Sequence, residues 1–272
     1  MSTAFTSITL NKAVSNPSVA ILTLARGRKK NAINFAMYNE IQQALHLVSK
    51  DAATSALILT GDGEYYSSGN DLSNFSRIMH PKKMAILAKK ICYDFVDAFI
   101  VCEKPIVAAV NGPAIGIAAT TLGLCDVRLA TPWATFHTPF RALGQAPEGC
   151  SSFLFPKLMG SATAHEVLEN GKVLCATEAL DCGFISNIAD RVVEEAMHVI
   201  RSRKDLQRFT KMDPTIVPKL QRVNLDEVTV LEKAWVSPEC FEALATYLYS
   251  RRKNSAALTL QAMNLLRPLW DR

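Results

Sequence analysis

The stretch that decides the fold is residues 111–126, which read NGPAIGIAATTLGLCD. A run of β-branched and small apolar residues, Ile106 to Val110, stops at the turn-forming letters NGP. Gly116 then precedes a short predicted helix, Ile117 to Leu124, and no charged side chain occurs from Pro105 to Cys125. A helix that is apolar on all sides is a buried helix.

The start of this helix is a candidate site for an anion. The first N–H groups of a helix lack intrahelical partners, and they lie at the positive end of the helix dipole. A buried helix start beside a cavity therefore suits an anion, or an oxygen that becomes one. Taken alone, the segment fits a core helix after a tight turn at least as well.

The chain on either side repeats a unit of buried strand, glycine-bearing loop and helix. Hydrophobic spacing predicts strands at 8–10 and 19–24, a helix at 36–50, a strand at 56–60, a helix at 81–100 and a strand at 106–110. Short strands at 126–130 and 135–137 follow, then helices at 150–159, 162–170 and 177–182. From Val192 onward the chain is mostly helical, and the whole pattern predicts an α/β fold with covered sheets.

Composition excludes several classes of function. The 272 residues are 49% hydrophobic and 20% charged, as in ordinary globular proteins. A net charge of +5 suits an anionic small molecule, but it is too weak and too dispersed to predict nucleic-acid binding. No apolar run reaches transmembrane length, so no membrane insertion is expected.

The cysteines and histidines predict neither disulfides nor a metal site. The seven cysteines lack CxxC spacing, which indicates reduced thiols in an intracellular protein. The five histidines share no ligand spacing with them, and His137 is interpreted as a core residue. The first ten residues show no secretory signal, and the final LWDR is not an SKL-type peroxisomal address.

Two loops offer candidate ligand contacts. The basic loop RGRKKN at 26–31 contains Arg28 and Lys29, which either contact phosphate or are simply solvated in a surface turn. The loop GDGEYYSSGNDL at 61–72 has three glycines that allow its backbone to approach a ligand closely. It matches neither the dinucleotide-binding nor the P-loop signature.

Together, the motifs SSGND at 67–71 and NGPAIG at 111–116 resemble those of the crotonase (enoyl-CoA hydratase/isomerase) superfamily. The agreement is closest with peroxisomal-type Δ3,Δ2-enoyl-CoA isomerases, over YSSGNDL (66–72), FHTPF (136–140) and LGQAPEGCSS (143–152). The resemblance implies a spiral of β-β-α units over residues 1–193, which holds an acyl-CoA site. It also implies a helical C-terminal region over 194–272 for oligomerisation and site closure, in a homotrimer or hexamer.

The resemblance assigns the backbone N–H groups of Asn70 and Ile117 to the thioester oxygen of an acyl-CoA. The amide of Ile117 is the first in the predicted buried helix, so the assignment agrees with the physical expectation for a free donor. Removing the α-proton of a thioester creates an enolate, and one preorganised donor stabilises such a charge by about 3 kcal/mol.

The same resemblance implies the other substrate contacts. The groups assigned to substrate binding are Ser67, Ser68, Gly69, Asn70, Asp71, Gly116, Arg28 and Lys29. Backbone around Ser67 and Ser68 would hold the adenine of CoA, and Arg28 and Lys29 would meet its phosphates. Coenzyme A is part of the substrate, so no separate cofactor is expected. Asp71 is also predicted to order its own loop or join a structural ion pair, and Asp126 is interpreted as structural.

Carboxylates decide which reaction the resemblance implies. Hydratases of this family use two glutamates, and the matching positions here are Thr120 and Phe140. Dienoyl-CoA isomerases also place an acid at the second of these positions. Glu148 matches the single glutamate of monoene isomerases, and one carboxylate suffices for a 1,3-proton shift. Nearby apolar residues are expected to raise its pKa.

Glu148 also has a purely structural interpretation. A helix is predicted to begin near Gly149, and an acid in or just before a first helical turn is favourable. Two further functions stay open: a catalytically silent acyl-CoA-binding or regulatory protein, and another CoA chemistry that uses the same oxyanion site. An acid at position 148 favours the isomerase over the silent protein.

The end of the chain departs from the pattern of the family. Peroxisomal-type relatives stop near the equivalent of Arg251 to Lys253, whereas this chain continues through residues 254–272. The resemblance implies a peroxisome or mitochondrion, and the cytoplasm stays open because no targeting signal is visible. Acyl chain-length preference, substrate double-bond geometry and the role of the tail are not readable from the sequence.

Overall fold

A six-stranded sheet forms the centre of the computed structural model, which describes residues 5–76, 79–203, 206–213 and 215–271. Within these ranges the strands are β1 (Ile8–Ala13), β2 (Asn16–Leu24), β3 (Ala56–Gly61), β4 (Ile106–Val110), β5 (Ala114–Ile115), β6 (Val127–Ala130), β7 (Thr135–His137), β8 (Leu174–Cys175) and β9 (Asn187–Ile188). The order in the large sheet is β1-β2-β3-β4-β6-β9. Within this sheet, the described strands pair in parallel except for the β1–β2 hairpin, which is antiparallel.

Helices cover both faces of this sheet. They are α1 (Phe35–Lys50), α2 (Pro81–Val101), α3 (Ile117–Thr120), α4 (Ser151–Met159), α5 (Ser161–Leu168), α6 (Ala176–Asp181), α7 (Val192–Ser202), α8 (Phe209–Met212), α9 (Ile216–Trp235), α10 (Pro238–Ser250), α11 (Asn254–Leu265) and α12 (Arg267–Trp270). Helices α1 and α2 pack in the main core, and α7 covers the opposite face. Strand β4 is consequently buried along its whole length, which explains its unbroken apolar sequence.

A second, smaller sheet connects the two glycine-bearing loops. Strands β5, β7 and β8 form a three-stranded sheet. Ser67 joins this sheet through a parallel bridge to Ala114, and Ile33 forms a parallel bridge with Asn70. Each turn of the chain therefore places a short extended segment beside that of the preceding turn, which is the predicted spiral of β-β-α units.

The predicted elements are confirmed, with small corrections to their ends. The first hairpin turns at Val14 and Ser15, because β2 begins at Asn16 rather than at the predicted Val19. The predicted helix at 117–124 divides into α3 and a 3₁₀ segment, Thr121–Leu124. Strands β5, β8 and β9 were not predicted, since a strand of two residues has no hydrophobic period to recognise.

The C-terminal helices are divided between the main core and a smaller cluster. Leu220 and Val228 of α9 lie in the same cluster as the sheet, while α10 and α11 enclose a smaller apolar cluster of their own. Asp126 pairs with the buried Arg208 at 3.0 Å, which confirms its structural role. Within the described ranges, no helix is both long and apolar enough to span a bilayer.

Candidate active site

The two glycine motifs lie side by side in the structure. The N–H of Ile115 donates to the carbonyl oxygen of Ser67 at 3.0 Å, and the N–H of Ser67 donates to Pro113 at 3.2 Å. Gly69 has a φ of +78°, and a Cβ there would lie 2.5 Å from the carbonyl oxygen of Ile115. Only glycine allows this close approach of the two loops.

At each motif, one backbone N–H group has no acceptor among the residues the structure describes: that of Asn70 within the first motif and that of Ile117 directly after the second. Around Asn70, the bonds run from Ile33 N–H to Gly69 and from Asp71 N–H to Ile33, so the Asn70 amide points to the other side. Ile117 opens α3, and the preceding Gly116 N–H donates to His137 at 2.8 Å. Both amides are therefore unpaired donors beside the joined loops.

Glu148 and Asn70 line the same pocket. This pocket is formed by Phe35, Tyr38, Asn70, Asn74, Met84, Ala88, Ile91, Cys92, Gln145, Glu148 and Trp235. Glu148 is 9% exposed, and its Oε2 accepts a weak hydrogen bond from the Cys92 thiol at 3.6 Å. Burial raises the pKa of Glu148 from 4.5 to about 8, the bond from Cys92 lowers it and the charge of Glu227 raises it. A buried carboxyl of this kind is a candidate general base.

The interpretation of Glu148 as a helix cap is wrong. Helix α4 begins at Ser151 and is capped at its start by the side chain of Glu227, which comes from α9. Glu227 accepts the N–H groups of Cys150 at 2.7 Å and of Ser152 at 2.9 Å. The carboxylate of Glu148 instead faces the pocket.

Comparisons with known proteins agree with this geometry. The family model of enoyl-CoA hydratase/isomerase matches residues 15–225. The chain belongs to this family. It is 41% identical to human enoyl-CoA delta isomerase 2 over 88% of its length, and it spans 63% of the length of that relative. It is 37% identical to mouse peroxisomal enoyl-CoA delta isomerase 3, with 88% of this chain and 78% of that protein covered.

A solved structure shows the same fold. An enoyl-CoA hydratase/isomerase from Pseudoalteromonas atlantica superposes with a TM-score of 0.79 at 29% identity, covering 90% of this chain and 98% of that one. The crotonase fold predicted from the two glycine motifs is thereby confirmed.

In this member of the enoyl-CoA hydratase/isomerase family, the side chain of Asn70 is held by two residues that the sequence did not indicate. Asn74 Nδ2 donates to Asn70 Oδ1 at 2.7 Å, and the Tyr38 hydroxyl lies 3.5 Å from the same oxygen. Burial raises the pKa of Tyr38 well above its ordinary value, so its hydroxyl stays a donor. Asn74 lies in the 3₁₀ segment Leu72–Ser76 that follows the motif, and nothing in the sequence distinguishes it as a partner of Asn70.

The remaining residues of the SSGND motif hold its loop in shape. Asp71 pairs with Arg26 at 3.1 Å and accepts the N–H of Ser73, which confirms the predicted ion pair. Ser67 is fully buried, and its hydroxyl donates to the Asn31 carbonyl oxygen at 2.8 Å. Since its amide and carbonyl are also bonded within the protein, the contribution of Ser67 is to join the loops.

The basic loop lies next to the SSGND motif. The N–H of Ser68 donates to the carbonyl oxygen of Lys30 at 2.9 Å, which brings the two segments together. Arg28 and Lys29 occupy a 3₁₀ turn and are both exposed. Neither forms an ion pair with any residue that the structure describes, so their expected contact with phosphate stays a prediction.

The positions of the hydratase glutamates carry no titratable group and are closely packed. The Thr120 hydroxyl donates to Ile117 at 3.2 Å, and a Cβ on Gly149 would lie 2.6 Å from it. Phe140 is buried. The loop after Glu148 thus rests directly on helix α3.

Within the described ranges, no three His, Cys, Asp or Glu side chains are grouped as metal ligands.

Proposed function

We propose that this chain is a Δ3,Δ2-enoyl-CoA isomerase, which converts 3-enoyl-CoA into trans-2-enoyl-CoA in the β-oxidation of unsaturated fatty acids. The observation that carries the proposal is the buried carboxylate of Glu148, which lines the same pocket as Asn70. The names of the human and mouse relatives, enoyl-CoA delta isomerases, support the same reaction.

The proposed reaction divides between backbone and side chain. The amides of Asn70 and Ile117 bind the thioester oxygen and stabilise the dienolate that forms at it. Glu148 removes a proton from C2 and returns it to C4, so the double bond moves and no atom is gained or lost. The raised pKa of Glu148 suits both steps, because the carboxylate is a stronger base and its acid form is stable near neutral pH.

An adjoining apolar recess offers room for the acyl chain. It is lined by Met79, Pro81, Met84, Ala85, Ala88, Trp235, Phe241, Leu244, Leu260 and Met263. Met84, Ala88 and Trp235 also line the pocket of Glu148, so the two spaces are neighbours. The chain beyond the reacting carbons would extend between α2 and the C-terminal helices. At the other end, the backbone around Ser68 would hold the adenine of CoA, and Arg28 and Lys29 its phosphates.

The test is an assay of two reactions by the purified protein. We expect isomerisation of trans-3-hexenoyl-CoA and negligible hydration of crotonyl-CoA, because a hydratase needs a second acid to orient and deprotonate water. Hydration at a rate comparable with isomerisation would contradict the assignment. Tight binding of hexenoyl-CoA without turnover would favour the catalytically silent alternative.

We also propose that the protein is a homotrimer, or a hexamer of paired trimers, and acts in the peroxisome or the mitochondrion. The name of the peroxisomal mouse relative supports the first compartment. Light scattering after size exclusion at micromolar concentration checks the assembly, and a single species with the mass of one chain would contradict it.

A further inference from the structure

A second buried carboxylate, Glu227, lies directly behind the loop that carries Glu148. Its Oε2 accepts the N–H of Cys150 at 2.7 Å. Its Oε1 accepts both the N–H of Ser152 at 2.9 Å and the hydroxyl of Ser152 at 2.5 Å. The Cys150 thiol is also tied to α9, through a bond to Leu220 at 3.4 Å. Helix α9 therefore holds the backbone that immediately follows Glu148.

The backbone at this point has an uncommon conformation. Gly149 and Cys150 are consecutive residues with positive φ, +68° and +60°. A non-glycine residue in this region persists only when its surroundings hold it there. On one side Thr120 leaves no space for a Cβ on Gly149, and on the other side Glu227 binds the amide of Cys150. The turn after Glu148 is fixed from both sides.

We propose that Glu227 is a positioning residue for Glu148: by binding the amides of Cys150 and Ser152, it fixes where the Glu148 carboxylate lies in the pocket. This inference rests on the proposed role of Glu148 as the base. Glu227 does not line that pocket, so it acts through the backbone and not on the substrate.

Glu227 also affects Glu148 electrostatically. The titratable groups that face Glu148 are Tyr38 on α1, Cys92 on α2 and Glu227 on α9. The negative charge of Glu227 raises the pKa of Glu148, since it disfavours a second charge nearby. Replacing Glu227 with Gln removes this charge, so the pKa of Glu148 falls. The rising limb of the pH–rate profile, which needs the deprotonated base, then moves to lower pH.

The experiment compares Glu227→Gln with Glu232→Gln, a matched change on the same helix. Glu232 pairs with Lys89 at 2.7 Å, and both side chains are partly exposed. For Glu227→Gln we expect kcat for trans-3-hexenoyl-CoA to fall by about 10- to 100-fold, since small displacements of a reacting group have effects of this size. We expect the Kd for hexanoyl-CoA to stay within about threefold, because the amides of Asn70 and Ile117 are unchanged.

Two outcomes would overturn the positioning role. One is a kcat, per folded molecule, within twofold of that of Glu232→Gln. The other is an unchanged midpoint of the pH–rate profile, because a purely structural defect lowers the folded fraction without moving that midpoint. Ser152→Ala provides a milder variant in case Glu227→Gln does not fold. It removes only the hydroxyl bond to Glu227, and we expect a smaller decrease of kcat with the amide bonds retained.

The wild-type protein separates this inference from the proposed function. If it does not turn over trans-3-hexenoyl-CoA, the isomerase proposal fails. If it does, and Glu227→Gln is unaffected, only the positioning role of Glu227 fails.

Discussion

Glu148 and Glu227 are two buried glutamates on either side of one turn, and their surroundings differ completely. Glu227 accepts three hydrogen bonds from Cys150 and Ser152, which replace much of the water it has lost. Glu148 accepts one weak bond from a thiol. Burial raises the pKa of both, but only Glu148 faces an apolar pocket. A buried carboxylate whose hydrogen bonds are supplied by the protein supports structure. A buried carboxylate that receives few hydrogen bonds from the protein is available to react.

The largest effect is expected from Glu148→Gln. The change keeps the size of the side chain and removes proton abstraction, so we expect kcat to fall by about 10²–10⁴-fold. Exchange of the α-proton with deuterated solvent should be lost as well. The Kd for hexanoyl-CoA, measured by calorimetry, should be nearly normal because the two amides remain. If most activity were retained, the proton carrier would have to be another polar group of the pocket, with Tyr38 the first to test.

The second prediction concerns stability and pH. The pKa of Glu148 is 4.5 ordinarily and about 8 in the folded protein, so the native state holds this proton over a range where the unfolded state has lost it. The contribution of Glu148 to the free energy of unfolding is therefore fully present below pH 4.5 and is lost as the pH rises through 8. Gln does not titrate, so the Glu148→Gln variant does not lose this contribution. Its free energy of unfolding relative to that of wild type should therefore increase by about 2–3 kcal/mol between pH 6 and 9. Urea unfolding at a series of pH values measures the difference. A difference that stays constant would show that Glu148 titrates normally.

How far the sequence predicted these two sites depends on whether their signals are local. The motifs at 67–71 and 111–116 were recognised because their glycines, Gly69 and Gly116, stand in short segments that resemble those of the family, and backbone donors need no particular side chain. The surroundings of Glu148 come from helices that are distant in the chain. Cys92 and Glu227 occupy ordinary positions on amphipathic helices, and nothing local distinguishes them from core or surface residues.

The prediction of the fold has the same limit, because it also depends on local signals. Long apolar runs such as β3 and β4 were predicted within a residue or two of their ends. The two-residue strands of the small sheet were not predicted from the sequence, because they form only where neighbouring turns of the spiral meet. The division at residue 193 stays a prediction, although the packing of α9 in the main core shows that the two parts share apolar contacts.

The third prediction concerns the turn between the two glutamates. In Gly149→Ala the new Cβ would lie 2.6 Å from the Thr120 hydroxyl oxygen, in addition to the cost of a φ of +68°. We expect a loss of stability on the order of 1–3 kcal/mol and a decrease of kcat by about tenfold, because the base is displaced. Gly160→Ala is the matched control. Gly160 has a φ of +77° but no atom within 4 Å of the added Cβ, so it should lose stability and keep kcat. Equal kcat values for the two folded variants would show that the conformation of the turn does not affect catalysis.

The smallest expected effect comes from Cys92, the one side-chain donor to the Glu148 carboxylate among the residues that the structure describes. The Cys92 thiol stabilises the charged carboxylate, and its removal should raise the pKa of Glu148 further. For Cys92→Ala we therefore expect the midpoint of the kcat/KM profile to move to higher pH, by less than about one unit since a thiol is a weak donor. Cys102→Ala is the control, because Cys102 is also buried, just after the end of α2, but donates to Lys104. A midpoint that moves equally in both variants would mean that packing, and not the thiol bond, sets the pKa of the base. A shift in Cys92→Ala alone, opposite in direction to that of Glu227→Gln, would show that the two neighbours of Glu148 tune it in opposite senses.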